Sequence, residues 1–486
     1  MRTQGSQDDG RVEGVVPATP RPLPEFGGGQ ISSPTRALAT HAASAAFDDL
    51  AGHDVSRLTS LVIDAVGCAL GAQSLEQGRI YIDYARGDGC APRSTLLGTS
   101  VKSSTKDAAW ANAGLINTLD FDDTLYGHPG ATVVGPALAV AEAQHASGRD
   151  FVTAVAVGYE VSLRVSEAIA ASVNRWRRVA GSSTAQTFGA AAAAAKLLNL
   201  DRDATARCFG LAASMAPIPS VRKFGTQDCG RIAWTKNQYS AAAMAGVLGA
   251  QLASRGAAGP ETILDGDTGF WIMAGSDRFE PSLLVDTVGE NWRFHRIAFK
   301  PYPCCRFFHP AVLALKKLVT AEHLQPSEVA TIRVSSVSHL QTFLNRRPVT
   351  AYDAEFSLPH ALALTALGVR PGLDWFDEAH VRDPRAQALM DAVEVEVSEE
   401  AEQAFEAHQP YRTNVELVTR DGQRRHVSVG APLGHPTNPM TEKALNAKFL
   451  HLAGSAIGAE GAEQALKTLS RLQDVDDIAK LLPLLA

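Results

Sequence analysis

A chain of 486 residues with 45% hydrophobic and 20% charged side chains has the composition of a globular protein long enough for two domains. Its net charge of −7 argues against nucleic acid as a partner, because neutralising phosphates needs a basic face. No apolar run of about 18 residues stands out as a bilayer span, so no membrane association is expected.

Six cysteines (Cys68, Cys90, Cys208, Cys229, Cys304, Cys305) lack C-x-x-C spacing and read as free thiols of a reducing, cytoplasmic compartment. Residues 1–33 are rich in Gly, Pro and polar residues, have no apolar stretch like that of a signal peptide, and are expected to form a disordered tail. Gly27-Gly28-Gly29 within them follows no strand and opens no helix, so it is no dinucleotide fingerprint.

Helical patterning then begins. Leu58, Leu61, Val62, Ala65 and Leu70 share one face of a helix with Asp54 as its N-cap. Further helices are expected over 133–147, 151–171, 184–198, 203–214 and 238–255. The third of these holds six consecutive alanines, Ala190 to Ala195. Alanine favours helix but buries little area, so such helices hold together only by close packing in a larger bundle.

After Trp292 the pattern changes. Residues 329–337 and 393–397 alternate as strands, and 414–429 reads as a hairpin turning at Asp421-Gly422, with helices at 309–324 and 357–367 between them. Helical patterning returns over 441–453 and 460–472. The expected fold is mainly α, with a large all-α helical domain built from both chain ends (34–291 and 433–486). A smaller inserted α+β lid domain (292–432) would close over it and leave a ligand crevice between.

Two stretches carry the chemistry. Leu119 to Thr132 (LDFDDTLYGHPGAT) sets Asp120, Asp122, Asp123 and His128 between alanine-rich, apolar flanks, where packed carboxylates need partners. Phe299 to Pro310 (FKPYPCCRFFHP) presents Lys300, Arg306 and His309 on a proline-stiffened backbone suited to a carboxylate ligand.

As a string, LDFDDTL also fits the DxDxT of haloacid-dehalogenase-like phosphatases, and DFDD fits the DxDD of class II terpene cyclases. The first needs a β-branched strand before the aspartate, whereas Ala108 to Asn117 is helical in composition. The second needs an aromatic-lined cavity, and aromatics are 7% of the chain. Metal binding by the aspartates and His128 is weighed and not favoured, because carboxylates at i and i+2 of one helical turn diverge.

DFDDT…HPGA and FKPYPCCRFFHPAVLAL together resemble the acidic and lysine-bearing segments of the MmgE/PrpD family of 2-methylcitrate dehydratases and cis-aconitate decarboxylases. The likeness continues through GFW at Gly269 to Trp271, RRPVTAYDAEFSLPHALAL at Arg346 to Leu364 and PLGHPTNPMT at Pro432 to Thr441, and so spans about residues 35 to 480. It implies a cofactor-free, homodimeric enzyme with a helical domain and an α+β lid, acting on small di- and tricarboxylates. By that likeness the pocket positions fall on Asp120, Thr124, His128 and Lys300.

Two departures accompany the likeness. A family histidine expected before the alanine-rich helix is absent from Arg177 to Phe188, its place falling on Ala180. A family lysine is matched only by Lys236, one residue out of register. Ser182, Ser183 or Tyr239 are the candidates to replace the histidine.

The expected roles are His128 as acid/base, Lys300 as stabiliser of an enediolate and Asp120 as orienter of either, with Thr124, Lys236, Arg306 and His309 contacting substrate and no metal or cofactor. The leading expectation is a dehydratase acting on a 2-methylcitrate-like acid. Decarboxylation or epimerisation on the same fold is the alternative, and a catalytically silent carboxylate binder is the reading of another class.

Overall fold

The structure is a computed structural model that describes residues 33–87, 91–221, 232–234, 236–321 and 323–486. The expectations for the N-terminal tail up to residue 32 and for Cys90 and Cys229 lie outside the described residues.

The helical part is built as the apolar spacing requires. Ser33 opens α1 (Pro34–Ser44), its hydroxyl accepting from the Arg36 amide while proline occupies the first turn. Next come α2 (Gly52–Ala72), α3 (Glu76–Ala85), α4 (Thr105–Asn117), α5 (Pro129–Gln144), α6 (Gly148–Ala168), α7 (Ser182–Leu197), α8 (Arg202–Ser214) and α9 (Tyr239–Ala253).

The alanines of α7 are buried throughout, Ala190 to Ala195 being at most 1% exposed. Their small side chains let α7 lie against α6, α8 and α9 at close range. Among the described residues, the strands of this part are two-residue pairs, Ser94–Thr95 with Lys102–Ser103 and Val179–Ala180 with Ser220–Val221.

Two expectations about α2 need correction. The helix starts at Gly52, so Asp54 is its third residue and not the N-cap. Its Oδ2 reaches back to accept the Ala51 amide at 2.8 Å, meeting the same need for a partner from inside the first turn. By length and composition α2 is also apolar enough to cross a bilayer, with a window of mean hydropathy 1.4, of which 78% is buried inside the protein. From Leu61 to Ala72 every residue is buried, so the apolar stretch is covered by neighbouring helices.

The α+β part begins with α10 (His309–Ala321) and contains α11 (Ala351–Glu355) and α12 (Leu358–Ala366). Its strands β1 (Val329–Ser336), β2 (Val393–Val397), β3 (Thr413–Thr419) and β4 (Arg424–Val429) form one sheet in the order β2-β1-β3-β4. β1 runs parallel to β2 through a connection that contains α11 and α12, and β3 and β4 make the expected hairpin with Val415 opposite Val427. Ile332, Val334, Val415 and Leu417 form the buried side of this sheet.

The chain closes with α13 (Glu442–Leu469), broken at Gly458 into the two helical stretches that the sequence indicates.

Buried apolar side chains gather in two cores. One draws on residues 38–299 and again on 445–485, and the other on 302–429. Both chain ends therefore share the first core, and the α+β segment supplies the second. Ser33–Ala486 nonetheless packs as one compact unit, so the second core is not that of a detached lid.

α13 meets α2 where α2 has no side chain. A Cβ at Gly71 would stand 2.9 Å from Leu452 Cδ2 and 3.3 Å from Leu119 Cδ1. Gly71→Val is expected to overpack this contact and cost about 1–3 kcal/mol. The measurement is the urea midpoint, which should fall at an unchanged slope.

Candidate functional site

The acidic segment crosses from the end of α4 to the start of α5. Pro129 sits at the first position of α5, where its missing amide hydrogen costs nothing, and it forces the preceding His128 out of helical geometry to φ −124°. Asp120 adopts a left-handed φ of 46°. The segment is therefore a bent loop and not a helical turn, which overturns the expected divergence of its carboxylates.

Asp120 and Asp122 instead converge on one ring. His128 Nε2 lies 3.2 Å from Asp120 Oδ1, and Nδ1 lies 3.0 Å from Asp122 Oδ1, both at ion-pair distance. Asn117 Nδ2 donates to the same Asp122 oxygen at 3.1 Å. Asp123 faces elsewhere, accepting from the Gly130 amide at 2.8 Å in the first turn of α5 and from the Tyr159 hydroxyl at 2.7 Å. Burial, together with the nearby charge of Asp122, pushes Asp123 up to about 7.

Asp120 joins this loop to the lysines. Lys300 Nζ donates to its Oδ2 at 2.6 Å, and Lys236 Nζ stands 3.9 Å from its Oδ1. Burial alone would raise the Asp120 carboxyl, but Lys300, Lys236 and His128 outweigh it and hold the group well below the usual carboxylate range. Burial likewise works against charge on Lys300, 1% exposed, and Asp120 reverses this and raises its pKa.

For His128 burial lowers the pKa, while Asp122 and Asp120 more than compensate and bring it to about 9. At neutral pH this ring is an imidazolium. It can give a proton more readily than take one.

Backbone contacts set these distances. Thr124 exchanges two backbone hydrogen bonds with Ala298, of 2.9 and 3.1 Å, and so fastens the acidic loop to the strand-like stretch that delivers Lys300. The Phe299 amide then donates to Gly434 O at 3.0 Å. Gly434 has φ +90°, and a Cβ there would stand 2.0 Å from Phe299 O, so the PLGHP turn must carry glycine at this point.

The remaining expected residues divide. Lys236 is brought in despite its apparent register, its ammonium paired with Glu355 and set over the rings of Tyr352 (4.6 Å) and Phe356 (4.9 Å). Arg306 is half-buried at the edge, its Nη1 3.5 Å from Thr124 O. His309 is not brought in, since its Nε2 lies 3.2 Å from Cys304 O of its own loop, and burial holds it neutral, well below the ordinary histidine value.

Tyr239 packs edge-on to His128 with ring centroids 5.5 Å apart, and its hydroxyl is 3.3 Å from Ser182 Oγ. These two groups therefore flank the histidine. Ser183 is buried in α7. The Ala180 side chain lies outside the described residues. A cavity of about 10 Å³, room for one water, opens beside Lys236, Asn117, Tyr239 and Tyr352.

Among the described residues, three potential metal ligands approach within 4.8 Å of one another at His53 and Asp54, on the N-terminal turn of α2, and His295, on the 3-10 turn Arg293–Arg296. The four described cysteines are unpaired and buried.

The family model for the MmgE/PrpD N-terminal domain matches residues 36–282, and that for the MmgE/PrpD C-terminal domain matches residues 302–474. Among curated proteins, cis-aconitate decarboxylase of Homo sapiens is 25% identical, the match covering 94% of this chain and 95% of that protein. Cis-aconitate decarboxylase of Aspergillus terreus is 26% identical over 93% and 96%. A cis-aconitate decarboxylase-like protein of Aspergillus oryzae is 25% identical over 90% and 94%.

Glu355 and Lys448 are the residues that the sequence reading missed. Lys448 is a lone cation in the apolar run NAKFLHLAG, and that isolation is the available signal; Glu355 shares AYDAEFSLP with Asp353 and has no such mark. Lys448, on α13, donates to Asp64 Oδ1 (2.7 Å), Phe121 O (2.6 Å) and Lys300 O (3.1 Å), so one ammonium ties α2, the acidic loop and the lysine segment together. Lys448→Met should cost about 3–5 kcal/mol at neutral pH by leaving Asp64 buried without its cation. Adding Asp64→Asn should recover part of that loss in chemical denaturation.

Proposed function

This chain belongs to the MmgE/PrpD family, and on that premise we propose that it is a lyase that releases CO₂ from a small unsaturated tricarboxylate of the cis-aconitate type. The observation that carries this reading is His128, a buried imidazolium held between Asp120 and Asp122, with Lys300 and Lys236 gathered on the same Asp120 carboxylate.

In the proposed reaction the carbon–carboxylate bond breaks, CO₂ departs, and the electron pair stays on carbon, conjugated with the remaining carboxylates. A proton from the Nε2 edge of His128 goes to that carbon, and solvent restores it afterwards. Lys300 and Lys236 share their charge between Asp120, Glu355 and the incoming carboxylates, and they steady the negative charge that the carbanion spreads onto its neighbours. Asp122, behind Nδ1, keeps the ring charged and oriented.

Dehydration, the leading expectation from sequence, is supported less. Removing a Cα proton needs a base. His128 is already protonated at neutral pH, and Asp120 is held too acidic to accept a proton readily. The relatives named above also carry decarboxylase and not dehydratase names.

The test is proton NMR in D₂O with cis-aconitate, citrate and 2-methylcitrate in separate samples. The expected result is loss of a carboxyl group from cis-aconitate with one solvent deuteron entering the product. Water loss from 2-methylcitrate without CO₂ release would replace this reading with dehydration.

His128→Ala should lower turnover by about 10²–10⁴-fold while leaving the fold intact. Because His128 is charged below about 9 and must be charged to donate, the wild-type rate should fall as pH rises through about 9. A rate that instead rises through that range would make the neutral imidazole the working form.

A further inference from the structure

Glu355 ends α11, and the side chains around it form a seat for one ammonium. Its Oε2 is placed directly on Lys236 Nζ, with the rings of Tyr352 and Phe356 on either side. The residue is 0% exposed, yet its other oxygen, Oε1, has no hydrogen-bond partner among the described residues. An ionised carboxylate with a bare buried oxygen is costly, and a proton on the group relieves that cost. Lys236 is meanwhile contested from the opposite side by Asp120 Oδ1 at 3.9 Å.

We infer that Glu355 and Lys236 are a proton-sharing pair, in which Glu355 is a positioning residue that takes up a proton when a polycarboxylate binds and so releases the Lys236 ammonium to it. The inference rests on the reading of this site as one for a small polycarboxylate. Ionised, Glu355 keeps Lys236 to itself. Protonated, it lets the ammonium turn its full charge to an incoming carboxylate, and the added negative charge of the ligand favours that protonation.

The titratable and charged groups that face Glu355 are Lys236, Asp120, Lys300, Cys304, Tyr81 and Tyr352. Burial and then the charge of Asp120 raise the Glu355 carboxyl, against the pull of Lys236 and Lys300, to about 8, close enough to neutrality for a ligand to shift it.

The experiment is titration calorimetry of the full chain with tricarballylate, a saturated tricarboxylate, between pH 7 and 8.5 in buffers of different ionisation enthalpy. Wild type should take up about half a proton per site at pH 8 and more at pH 8.5, and its affinity should weaken towards ~10-fold per pH unit above that point. Glu355→Gln, neutral at every pH, should bind without that uptake and with affinity nearly flat over the same range. Glu355→Asp should restore the uptake.

Binding with no proton uptake in wild type, or an uptake unchanged in Glu355→Gln, overturns the pair, as does failure of wild type to bind tricarballylate at all. If Glu355→Gln does not fold, the wild-type uptake and its return in Glu355→Asp still decide the matter. Proton-coupled binding that Glu355→Gln abolishes, with no CO₂ released from cis-aconitate, would leave the pair standing and remove only the proposed reaction.

Discussion

The contact on which the site depends is the 2.6 Å pair between Asp120 and Lys300, two buried charges 180 residues apart in sequence. Taking either one alone out of water would cost several kcal/mol, so neither side chain can hold its place without the other. Asp120 repeats this arrangement with His128 and Lys236, and one carboxylate thereby determines where three cations stand. The backbone pairing of Thr124 with Ala298 and the Phe299 amide to Gly434 O keep that carboxylate within reach of its partners.

Such a cluster gains little stability from its ion pairs, because desolvation offsets most of the Coulomb attraction. What the arrangement supplies is a defined state of charge. His128 stays protonated because Asp120 and Asp122 bracket it, and Asp120 raises the pKa of Lys300 against the opposite pull of burial. The cost of holding these charges falls on the apolar cores around them, above all on the alanine-rich helices whose close packing keeps water out.

Much of this was legible from sequence where period and composition carry the signal. The helices over 133–255, the strands β1 to β4 and the hairpin at Asp421-Gly422 all follow from spacing and turn chemistry, as does the share of both chain ends in one helical core. Legibility fails where geometry is set by tertiary contacts. The aspartates were expected to diverge as on a helix, but the left-handed Asp120 turns the loop so that two of them meet on His128. Lys236 is one residue out of register with the family lysine by sequence, and only the fold shows its ammonium beside Glu355 and 3.9 Å from Asp120. Glu355 and Lys448 touch partners more than 100 residues away, and the sequence around them does not say which partners those are. His309 shares the FKPYPCCRFFHP stretch with Lys300 but turns to the Cys304 carbonyl of its own loop.

The place of Lys448 has a consequence for how the molecule comes into being. Its ammonium binds Asp64, Phe121 O and Lys300 O from the last long helix, so a nascent chain on the ribosome has made every other charged group of the site long before this one emerges. The cluster is thus completed only once α13 is made, and a chain interrupted before α13 would carry all the reactive side chains without the cation that joins α2, the acidic loop and the lysine segment.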